Sequence, residues 1–428
     1  MKPSARIQSA IEILEAVFEG KRPADSVITD YFKQRRYAGS KDRRAINDQV
    51  YAVLRNRAKL NWLAEKVSVE QTPRLLVLLD CLLNDQDIET LFTGEQYAPD
   101  ALEKRESDII PILAEFDPSQ APDPVRLEYP EWLDRDLRDS LGDDFEAVLV
   151  ALNKEAPLDL RINSLHEDAA KAIESLAKQN IETEKGQYSP WCLRTTKKVK
   201  LGGLQAYKEG LIDVQDEGSQ LIAHLTQAKD CELVVDFCAG GGGKTLALAA
   251  DMENQGHLYA LDISSTRLYK MKRRLERAGV TNVLLNPIRS EMDPWLKQFE
   301  GRVDRLLIDA PCSGLGAWRR NPESRWKMTS ELLEDLLGRQ ARILQSSAHL
   351  VKPGGRLVYA TCSLLKRENE DQIAAFLKEN DNYSILPITD VWDETFDSTC
   401  PFSDDYMIMR PDLHKSDGFF CAVLQRDS

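Results

Sequence analysis

The chain has 428 residues, of which 42% are hydrophobic and 29% charged, the composition of an ordinary globular protein long enough for two or three domains. Its net charge of −14 argues against a wholly nonspecific nucleic-acid binder. The charge is uneven, because residues 1–60 carry 13 basic and 7 acidic side chains, whereas residues 61–128 carry 5 and 15. A basic end of this kind fits a local nucleic-acid-binding face and a solvated helix face equally well.

Membrane and metal-binding classes are disfavoured by the same simple counts. No apolar run approaches the length of a bilayer span, and the N-terminus has no secretory signal, so we expect a cytoplasmic protein without a membrane partner. The eight cysteines form no Cys-x-x-Cys pair and no histidine cluster accompanies them, so no metal site is expected. A disulfide framework is equally disfavoured, and free buried thiols are the default.

The first 125 residues are predicted to be helical. Ile7, Ile11, Leu14 and Phe18 recur at helical spacing and place one apolar face toward a core. A second helix is predicted over residues 42–63, and further apolar, helix-compatible blocks follow it. These features predict an all-helical domain over residues 1–125.

Two further domains are predicted beyond a linker. The segment 116–130 is rich in proline and polar residues, which suits a linker. Residues 130–212 read as helix, strand, helix and strand, which predicts a small α+β module. From residue 213 to 428, apolar strands alternate with helices, and this pattern predicts a doubly wound parallel sheet of the α/β class. Ligands of such sheets bind beyond the carboxyl ends of the strands.

The sequence DFCAGGGGKT, residues 236–245, follows an apolar strand and opens a helix. Its four glycines allow the backbone to approach a ligand closely, and the helix N-terminus offers free N–H groups. A phosphate-binding P-loop does not fit, because Cys238 stands where the first glycine is required. Asp262 ends the next strand and is placed to accept the ribose hydroxyls of a nucleoside, although capping of the following helix is an alternative role.

Two cysteines close neighbouring strands. Cys312 lies in DAPCSG after the fourth strand and Cys362 in ATCS after the fifth, so both are expected in one cleft. A thiolate that adds to C6 of cytosine makes C5 nucleophilic toward a methyl donor, and the C5 proton must then be removed. An acid such as Asp309 near N3 would stabilise the activated base. The alternative is that each cysteine is a small buried hydrophobe, and the chemistry alone leaves the two thiol roles interchangeable.

The stretch Trp318–Lys327 interleaves arginine and tryptophan shortly after Cys312. Such residues bind phosphates and stack on bases, so Arg319, Arg320 and Arg325 are predicted to contact RNA. A surface loop pinned by two half-buried tryptophans is the alternative.

Together these motifs resemble the Sun-type RNA cytosine-C5 methyltransferases. The resemblance covers about residues 130–428 and includes VQDEGSQL, ALDIS, RRNPESRW, KPGGRLVYATCS and ENEDQI. Residues 1–125 resemble the NusB-like RNA-binding domain of the family's small-subunit methyltransferase B branch. The resemblance implies a Rossmann-like class I methyltransferase domain, S-adenosylmethionine as cofactor, ribosomal RNA of the small subunit as substrate, and a monomer.

The resemblance also assigns roles, with Cys362 as the nucleophile and Cys312 assisting product release. The cofactor site would be lined by Cys238, Ala239, Gly240, Gly241, Gly242, Gly243, Lys244, Asp262, Arg267 and Asp309. Two departures stand out. Gly240 and Gly241 replace the family's usual Ala-Pro, and the usual aspartate after the third strand is absent. The residues that would substitute for that aspartate are Asn286, Ser290, Glu291 or Asp293.

Two other functions are disfavoured by the same residues. An RNA-binding scaffold without turnover is disfavoured because Cys312, Cys362, Asp262 and Asp309 are all present. A P-loop nucleotidase is disfavoured by Cys238.

Overall fold

In the computed structural model the described residues are 1–20, 22–113, 117–166, 169–197 and 199–427. The chain divides into two compact units. The first comprises Met1–Arg135 and Trp318–Thr329, and the second comprises Asp136–Ala317 and Ser330–Ser428. The segment that follows Cys312 in sequence therefore packs with the N-terminal unit. Within the described ranges, no helix combines the length and apolar character needed to cross a membrane.

The first unit is helical, as the apolar spacing predicts. Its helices from the N-terminal region are α1 (Pro3–Glu19), α2 (Ala24–Gln34), α3 (Ser40–Arg55), α4 (Arg57–Lys66), α5 (Pro73–Leu83), α6 (Ile88–Leu91), α7 (Lys104–Leu113) and α8 (Asp123–Arg126). Ile7, Ile11 and Leu14 of α1 are buried in its core, and Phe18 packs partly buried against that core. The helix predicted over residues 42–63 is divided at Asn56, where α3 ends and α4 begins.

Residues 117–130 belong to the first unit, and the end of this segment, residues 127–130, is buried and is not an exposed linker; Phe116 lies outside the described residues. Glu128 and Tyr129 are both buried. The Glu128 carboxylate accepts hydrogen bonds from the backbone N–H groups of Ala58 at 2.8 Å and Lys59 at 3.0 Å, which are free groups in the first turn of α4. Proline and polar residues suit helix caps as well as linkers, so composition alone misled here.

The second unit starts with the small α+β module. Its elements are α9 (Asp134–Leu141), which begins at the boundary of the units, α10 (Phe145–Leu152), β1 (Leu158–Ile162), α11 (Ala169–Lys178), β2 (Glu184–Lys185), β3 (Cys192–Thr195), α12 (Gln205–Lys208) and β4 (Ile212–Val214). Among the described residues the strands form an antiparallel sheet in the order β2-β3-β1-β4.

A buried ionic network joins this module to helix α13 (Glu217–Leu225). Arg194 donates to both carboxylate oxygens of Asp159, at 2.7 and 2.8 Å, and to Glu217 at 3.1 Å. Asp159 and Glu217 also cluster with the Cys192 thiol in a group of the kind that holds metals, but the Arg194 guanidinium supplies the positive charge there.

The remaining elements form the larger sheet and its helices. They are β5 (Leu233–Asp236), α14 (Gly243–Asp251), β6 (His257–Asp262), α15 (Ser265–Ala278), β7 (Val283–Pro287), β8 (Val303–Asp309), α16 (Ser324–Lys327), α17 (Ser330–Ala348), β9 (Val351–Thr361), α18 (Glu370–Glu379), β10 (Tyr383–Ile385), α19 (Ile388–Thr395), β11 (Met407–Met409), α20 (Pro411–His414) and β12 (Phe419–Arg426). Of these, α16 belongs to the first unit.

The strand order in the described sheet is β10-β12-β9-β8-β5-β6-β7, with β11 paired to β12. Strands β5 to β9 run parallel, as the alternating pattern predicts, whereas β10, β11 and β12 form antiparallel pairs that the sequence analysis did not foresee. The order reverses between β5 and β8. In a doubly wound sheet this is the point where ligands bind, beyond the carboxyl ends of the strands.

Candidate active site

The glycine loop connects β5 to α14 through backbone conformations that require glycine. Gly240 and Gly242 have φ values of +53° and +82°, in the left-handed region. A Cβ added at Gly242 would lie 2.4 Å from Cγ of Met271, so this position also has no room for a side chain. Gly242 is the N-cap of α14, and the free N–H groups of that helix therefore face the same crevice as the loop.

Asp262, at the end of β6, is buried beside this loop. One of its carboxylate oxygens accepts from the Gly240 N–H at 2.9 Å, and the other accepts from the Ser264 N–H at 2.6 Å. The cap of α15 is Ser264, whose hydroxyl accepts from the Arg267 N–H at 3.4 Å. Asp262 therefore links the glycine loop to the turn between β6 and α15. The N-cap of α15, which was the alternative role for Asp262, is Ser264. The Arg267 side chain is exposed, and its contact with a cofactor stays a prediction.

A buried ion pair lies at the end of β8. The Lys244 ammonium, with 8% of its side chain exposed, is 2.8 Å from the Asp309 carboxylate, which is 34% exposed. Burial alone would lower the pKa of Lys244, but the Asp309 carboxylate outweighs it and the pKa of the ammonium is raised. Lys244 is therefore a fixed positive charge between the glycine loop and the Asp309 carboxylate.

The two predicted cysteines are in contact. Cys312 follows β8 and Cys362 follows β9, and their Sγ atoms are 3.3 Å apart. Both side chains are partly exposed. The backbone N–H of Gly316 donates to the Cys362 carbonyl at 2.9 Å, which ties the two loops together. The expectation that both thiols project into one cleft is thus met by the geometry.

The environments of the site cysteines differ. The hydrogen bond to Cys362, together with burial, raises the pKa of the Cys312 thiol well above its ordinary value. Burial and the carboxylates of Asp309 and Asp236 likewise raise the pKa of Cys238 well above its ordinary value. Cys312 is therefore held as a thiol beside the Cys362 sulfur, and Cys238 is an inert thiol in the glycine loop.

Two residues that the sequence reasoning did not single out support both cysteine loops. Glu368 accepts from the N–H of Ser313 at 2.8 Å and from its hydroxyl at 2.6 Å. Asn369 accepts from the Thr361 hydroxyl at 2.6 Å and donates to the Ser363 carbonyl at 3.0 Å. The available signal was their place in the ENEDQI motif, shortly after Cys362.

The three arginines of the 318–329 segment, which were predicted to contact RNA, are less exposed than a surface loop would make them. Arg319 and Arg325 are buried, and Arg320 is half-buried. Arg325 donates to the Glu128 carbonyl at 2.6 Å, its guanidinium lies 5.0 Å from the centre of the Trp318 ring, and burial lowers its pKa to about 10. Both guanidinium groups are packed inside the first unit, and the contact of Arg319, Arg320 and Arg325 with RNA stays a prediction.

The possible substitutes for the family's aspartate after β7 have partners of their own. Asp293 accepts from the N–H groups of Arg289 and Trp295 at 2.8 and 3.0 Å and so caps a short 3₁₀ turn. Glu291 pairs with the Arg342 guanidinium at 2.9 Å. Asn286 and Ser290 make only local backbone contacts.

The crevice suits a cationic nucleoside cofactor. Asp236 is fully buried at the end of β5, and one of its oxygens has no partner among the described residues. Burial, with the nearby Asp309 and Asp262 carboxylates, raises its pKa to about 7 despite the Thr245 hydroxyl and the Lys244 ammonium. A cofactor that brings a sulfonium and an ammonium group would relieve this crowding of carboxylates. Beyond the loop, a Cβ at Gly240 would meet only the Cys238 carbonyl, at 3.8 Å, so the outer side of the loop is open.

Comparison with known proteins decides the family. The model of the 16S rRNA methyltransferase RsmB/F family matches residues 223–425, and the ferredoxin-like domain model of the same group matches residues 129–201. The chain is 35% identical over 306 residues to "Probable ribosomal RNA small subunit methyltransferase B" of Synechocystis, a match covering 70% of this chain and 67% of the relative. The chain belongs to the RsmB/F family of 16S rRNA methyltransferases. The predicted resemblance is thereby confirmed.

Two further matches agree with this family, and one of them covers the whole chain. Ribosomal RNA small subunit methyltransferase B of Enterobacter sp. is 31% identical, over 74% of this chain and 70% of its own. The crystal structure of PH0851 superposes with a TM-score of 0.82 and 27% identity, covering 100% of this chain and 99% of that chain. The Rossmann-like fold and the preceding small domain are those of the family, and its cofactor is S-adenosylmethionine.

Proposed function

We propose that this protein methylates C5 of cytosine in RNA, specifically ribosomal RNA of the small subunit, with Cys362 as the nucleophile. The observation that carries the proposal is the 3.3 Å contact between the sulfur atoms of Cys312 and Cys362 at the ends of adjacent strands. Methyl transfer to a nitrogen, an oxygen or a ribose has no need for two thiols, whereas activation of the poorly nucleophilic C5 needs a covalent partner at C6.

Attack on the base is assigned to Cys362. We assign the attacking thiolate to Cys362, whose sulfur lies 3.3 Å from the Cys312 sulfur. Addition of this thiolate to C6 of an unstacked cytosine places electron density on C5. Bound S-adenosylmethionine supplies the electrophilic methyl group.

Release of the product is assigned to Cys312. In the free enzyme the hydrogen bond to Cys362 is the largest cause of the raised pKa of Cys312. Once the Cys362 sulfur is bonded to C6 it is a neutral thioether, and this cause is removed. Cys312, which is partly exposed, then releases its thiol proton to solvent, and the resulting thiolate accepts the C5 proton while the C6–S bond breaks and Cys362 leaves as a thiolate.

Recognition of the base is assigned to Asp309 and Lys244. The Lys244 ammonium fixes the Asp309 carboxyl group from one side at 2.8 Å, while the partly exposed Asp309 faces the cleft. We place the N3 edge of cytosine against Asp309, whose carboxylate accepts a hydrogen bond from the exocyclic amino group and, once thiolate addition has made N3 basic and N3 has taken a proton from solvent, from the N3–H group as well. Additional RNA binding is assigned to the helical first unit, whose first 60 residues carry 13 basic and 7 acidic side chains.

Substitution of the two cysteines tests this division of roles. Cys362→Ala is expected to abolish methyl transfer to 16S rRNA while S-adenosylmethionine still binds with normal affinity, because the thiol is needed only for addition to C6. Cys312→Ala is expected to accumulate a covalent RNA adduct, visible as a shifted protein band on a denaturing gel. Bisulfite sequencing of the RNA identifies the methylated base.

The exposed thiol of Cys231 provides the matched control, and Cys231→Ala should be fully active. Normal methyl transfer by Cys362→Ala would remove the nucleophile assignment. Methylated RNA without any 5-methylcytosine in bisulfite sequencing would overturn the cytosine C5 specificity.

A further inference from the structure

The dipeptide Glu368-Asn369 stands next to the two catalytic loops without supplying a reacting group. It lies at the end of a 3₁₀ turn over Lys366–Glu368, directly before α18. Both side chains are buried. Their hydrogen bonds run to residues that flank Cys312 and Cys362.

Glu368 holds the Cys312 loop from one side. Its carboxylate accepts from both the backbone N–H and the hydroxyl of Ser313, the residue after Cys312, at 2.8 and 2.6 Å. The side-chain amide of Gln340 on α17 donates to the same carboxylate at 3.0 Å, and also to the Pro311 carbonyl, the residue before Cys312, at 2.9 Å. Both neighbours of Cys312 are thus fixed by one network.

Asn369 does the same for Cys362. Its carbonyl oxygen accepts from Thr361 and its amide donates to Ser363, which are the residues on either side of the nucleophile. The Tyr359 hydroxyl on β9 donates to the Glu368 carbonyl at 2.7 Å and anchors the dipeptide to the strand that ends in Cys362.

Glu368 does more than fill space, because its buried carboxyl group accepts three hydrogen bonds. Among the described residues it forms no ion pair, so these hydrogen bonds are what satisfies its buried oxygen atoms. The Ser313 N–H and the Gln340 amide nitrogen can only donate, whereas the Ser313 hydroxyl can also accept. A glutamine therefore keeps one neutral acceptor oxygen for these donors and loses the second.

We propose that Glu368 and Asn369 are positioning residues that hold the sulfur atoms of Cys312 and Cys362 at contact distance. Their effect on methyl transfer rests on the proposed function, whereas their effect on the thiol geometry is independent of it. A displacement of reacting groups by about 1 Å is enough to lower a rate about 100-fold.

Oxidation of the thiol pair by diamide measures the geometry directly. Diamide accepts two protons and two electrons and becomes the hydrazine, while one S–S bond forms between Cys312 and Cys362. In the full-length protein this disulfide, quantified by mass spectrometry, is expected to form at least about 10-fold more slowly in Glu368→Gln. Methyl transfer is expected to lose about 100-fold in kcat, with KM for RNA and affinity for S-adenosylmethionine within about threefold of normal.

Asp371→Asn is the matched control, since this acidic residue lies three positions away and is exposed; it should leave both rates unchanged. A natively folded Glu368→Gln with normal disulfide and methylation rates overturns the proposal. If Glu368→Gln does not fold, Ser313→Ala decides, because it removes one of the three donors to Glu368, and unchanged rates in that variant also overturn it.

The double variant Glu368→Gln/Ser313→Ala distinguishes a shared pathway from two separate effects. If Glu368 acts through Ser313, the double variant is no slower than the slower single variant, and additive losses contradict the positioning role. The two proposals can also fail separately. If the wild-type protein transfers no methyl group to cytosine, but the disulfide between Cys312 and Cys362 forms more slowly in the variants, the positioning role is supported and the proposed function is rejected.

Discussion

At the scale of single residues, the buried Lys244–Asp309 pair has separable consequences for stability and for chemistry. The ammonium is almost fully buried and keeps a raised pKa only because the carboxylate is 2.8 Å away. Removing the carboxylate leaves a buried charge without its partner, which costs more than the intact pair contributes. Removing both groups takes away the charge and the need for its partner together.

We therefore expect Asp309→Asn to lower the free energy of unfolding by about 2 kcal/mol in denaturant titrations. The double variant Lys244→Met/Asp309→Asn is expected to recover most of that loss, because no buried ammonium is left. Both variants should be nearly inactive in methyl transfer. A double variant less stable than Asp309→Asn would show that Lys244 contributes to the fold beyond this pair.

The glycines of the loop differ in whether the structure requires a glycine at that position. Gly240 and Gly242 adopt positive φ, and Gly242 also touches Met271, so these two glycines are required by conformation. Gly241 has neither restraint: a Cβ there would meet only a guanidinium nitrogen of Arg274, at 3.5 Å. The sequence identified the loop from its glycine content, but it did not distinguish these positions.

At the scale of elements, the N-terminus of α4 is capped by a residue about 70 positions further along the chain. Glu128 accepts from two N–H groups of the first turn, and a helix N-terminus favours a negative charge. Burial nevertheless raises the pKa of Glu128 to about 7, so desolvation outweighs the helix end and both hydrogen bonds.

This raised pKa predicts a pH dependence of stability. In the unfolded chain a glutamate has a pKa near about 4.3. Between about pH 4.3 and 7 the folded protein holds a proton that the unfolded chain has released, so stability falls as pH rises through this window and levels off above it. Glu128→Gln should flatten the wild-type fall in melting temperature between pH 5 and pH 8.

Glu131→Gln is the control, because Glu131 lies in the same segment and is exposed. Its melting temperature should follow the wild-type pH curve. An unchanged curve in Glu128→Gln would mean that another group titrates in this window.

Sequence patterns predicted the parallel strands but missed the short strands and the break between α3 and α4. The five parallel strands were identified because each is a short apolar run and most of the runs end in glycine, aspartate, serine or cysteine. Strands β10 and β11 contain only three residues each, too short for a periodic pattern. The single helix predicted over residues 42–63 is two helices, because the break at Asn56 is set by packing and by the Glu128 cap on α4, which no local pattern reveals.

At the scale of the whole molecule, the two compact units are not consecutive in sequence. The segment 318–329 packs with the N-terminal helices although it lies between β8 and α17. Within this unit Glu323 accepts from the Ala24 N–H at 2.9 Å, and Lys327 donates to the Arg22 carbonyl at 2.8 Å. Trp318 is only 2% exposed. Removal of the helices alone therefore takes away the partners of Glu323 and Lys327 in the 318–329 segment.

This arrangement predicts which truncated variant contains the second unit as a well-behaved protein. A variant that starts at residue 136 and keeps the segment 318–329 is expected to aggregate in size-exclusion chromatography, because the segment loses its packing partners in the first unit. A second variant, in which a short Gly-Ser linker also replaces residues 318–329, should be monodisperse and retain affinity for S-adenosylmethionine. Equal behaviour of the two variants would contradict the assignment of this segment to the first unit.

The sequence by itself determined the family, the doubly wound sheet, the cofactor and the candidate pair of cysteines, because strand periodicity, the glycine loop and the DAPCSG and ATCS motifs are all local signals. Only the tertiary structure decided the 3.3 Å contact between the thiols, the network of Glu368 and Asn369 behind them, and the burial of Arg319 and Arg325. Those features depend on side chains brought together from distant parts of the chain. Hydrophobic burial drives that folding, and its packing partners are not encoded in the spacing of any one segment.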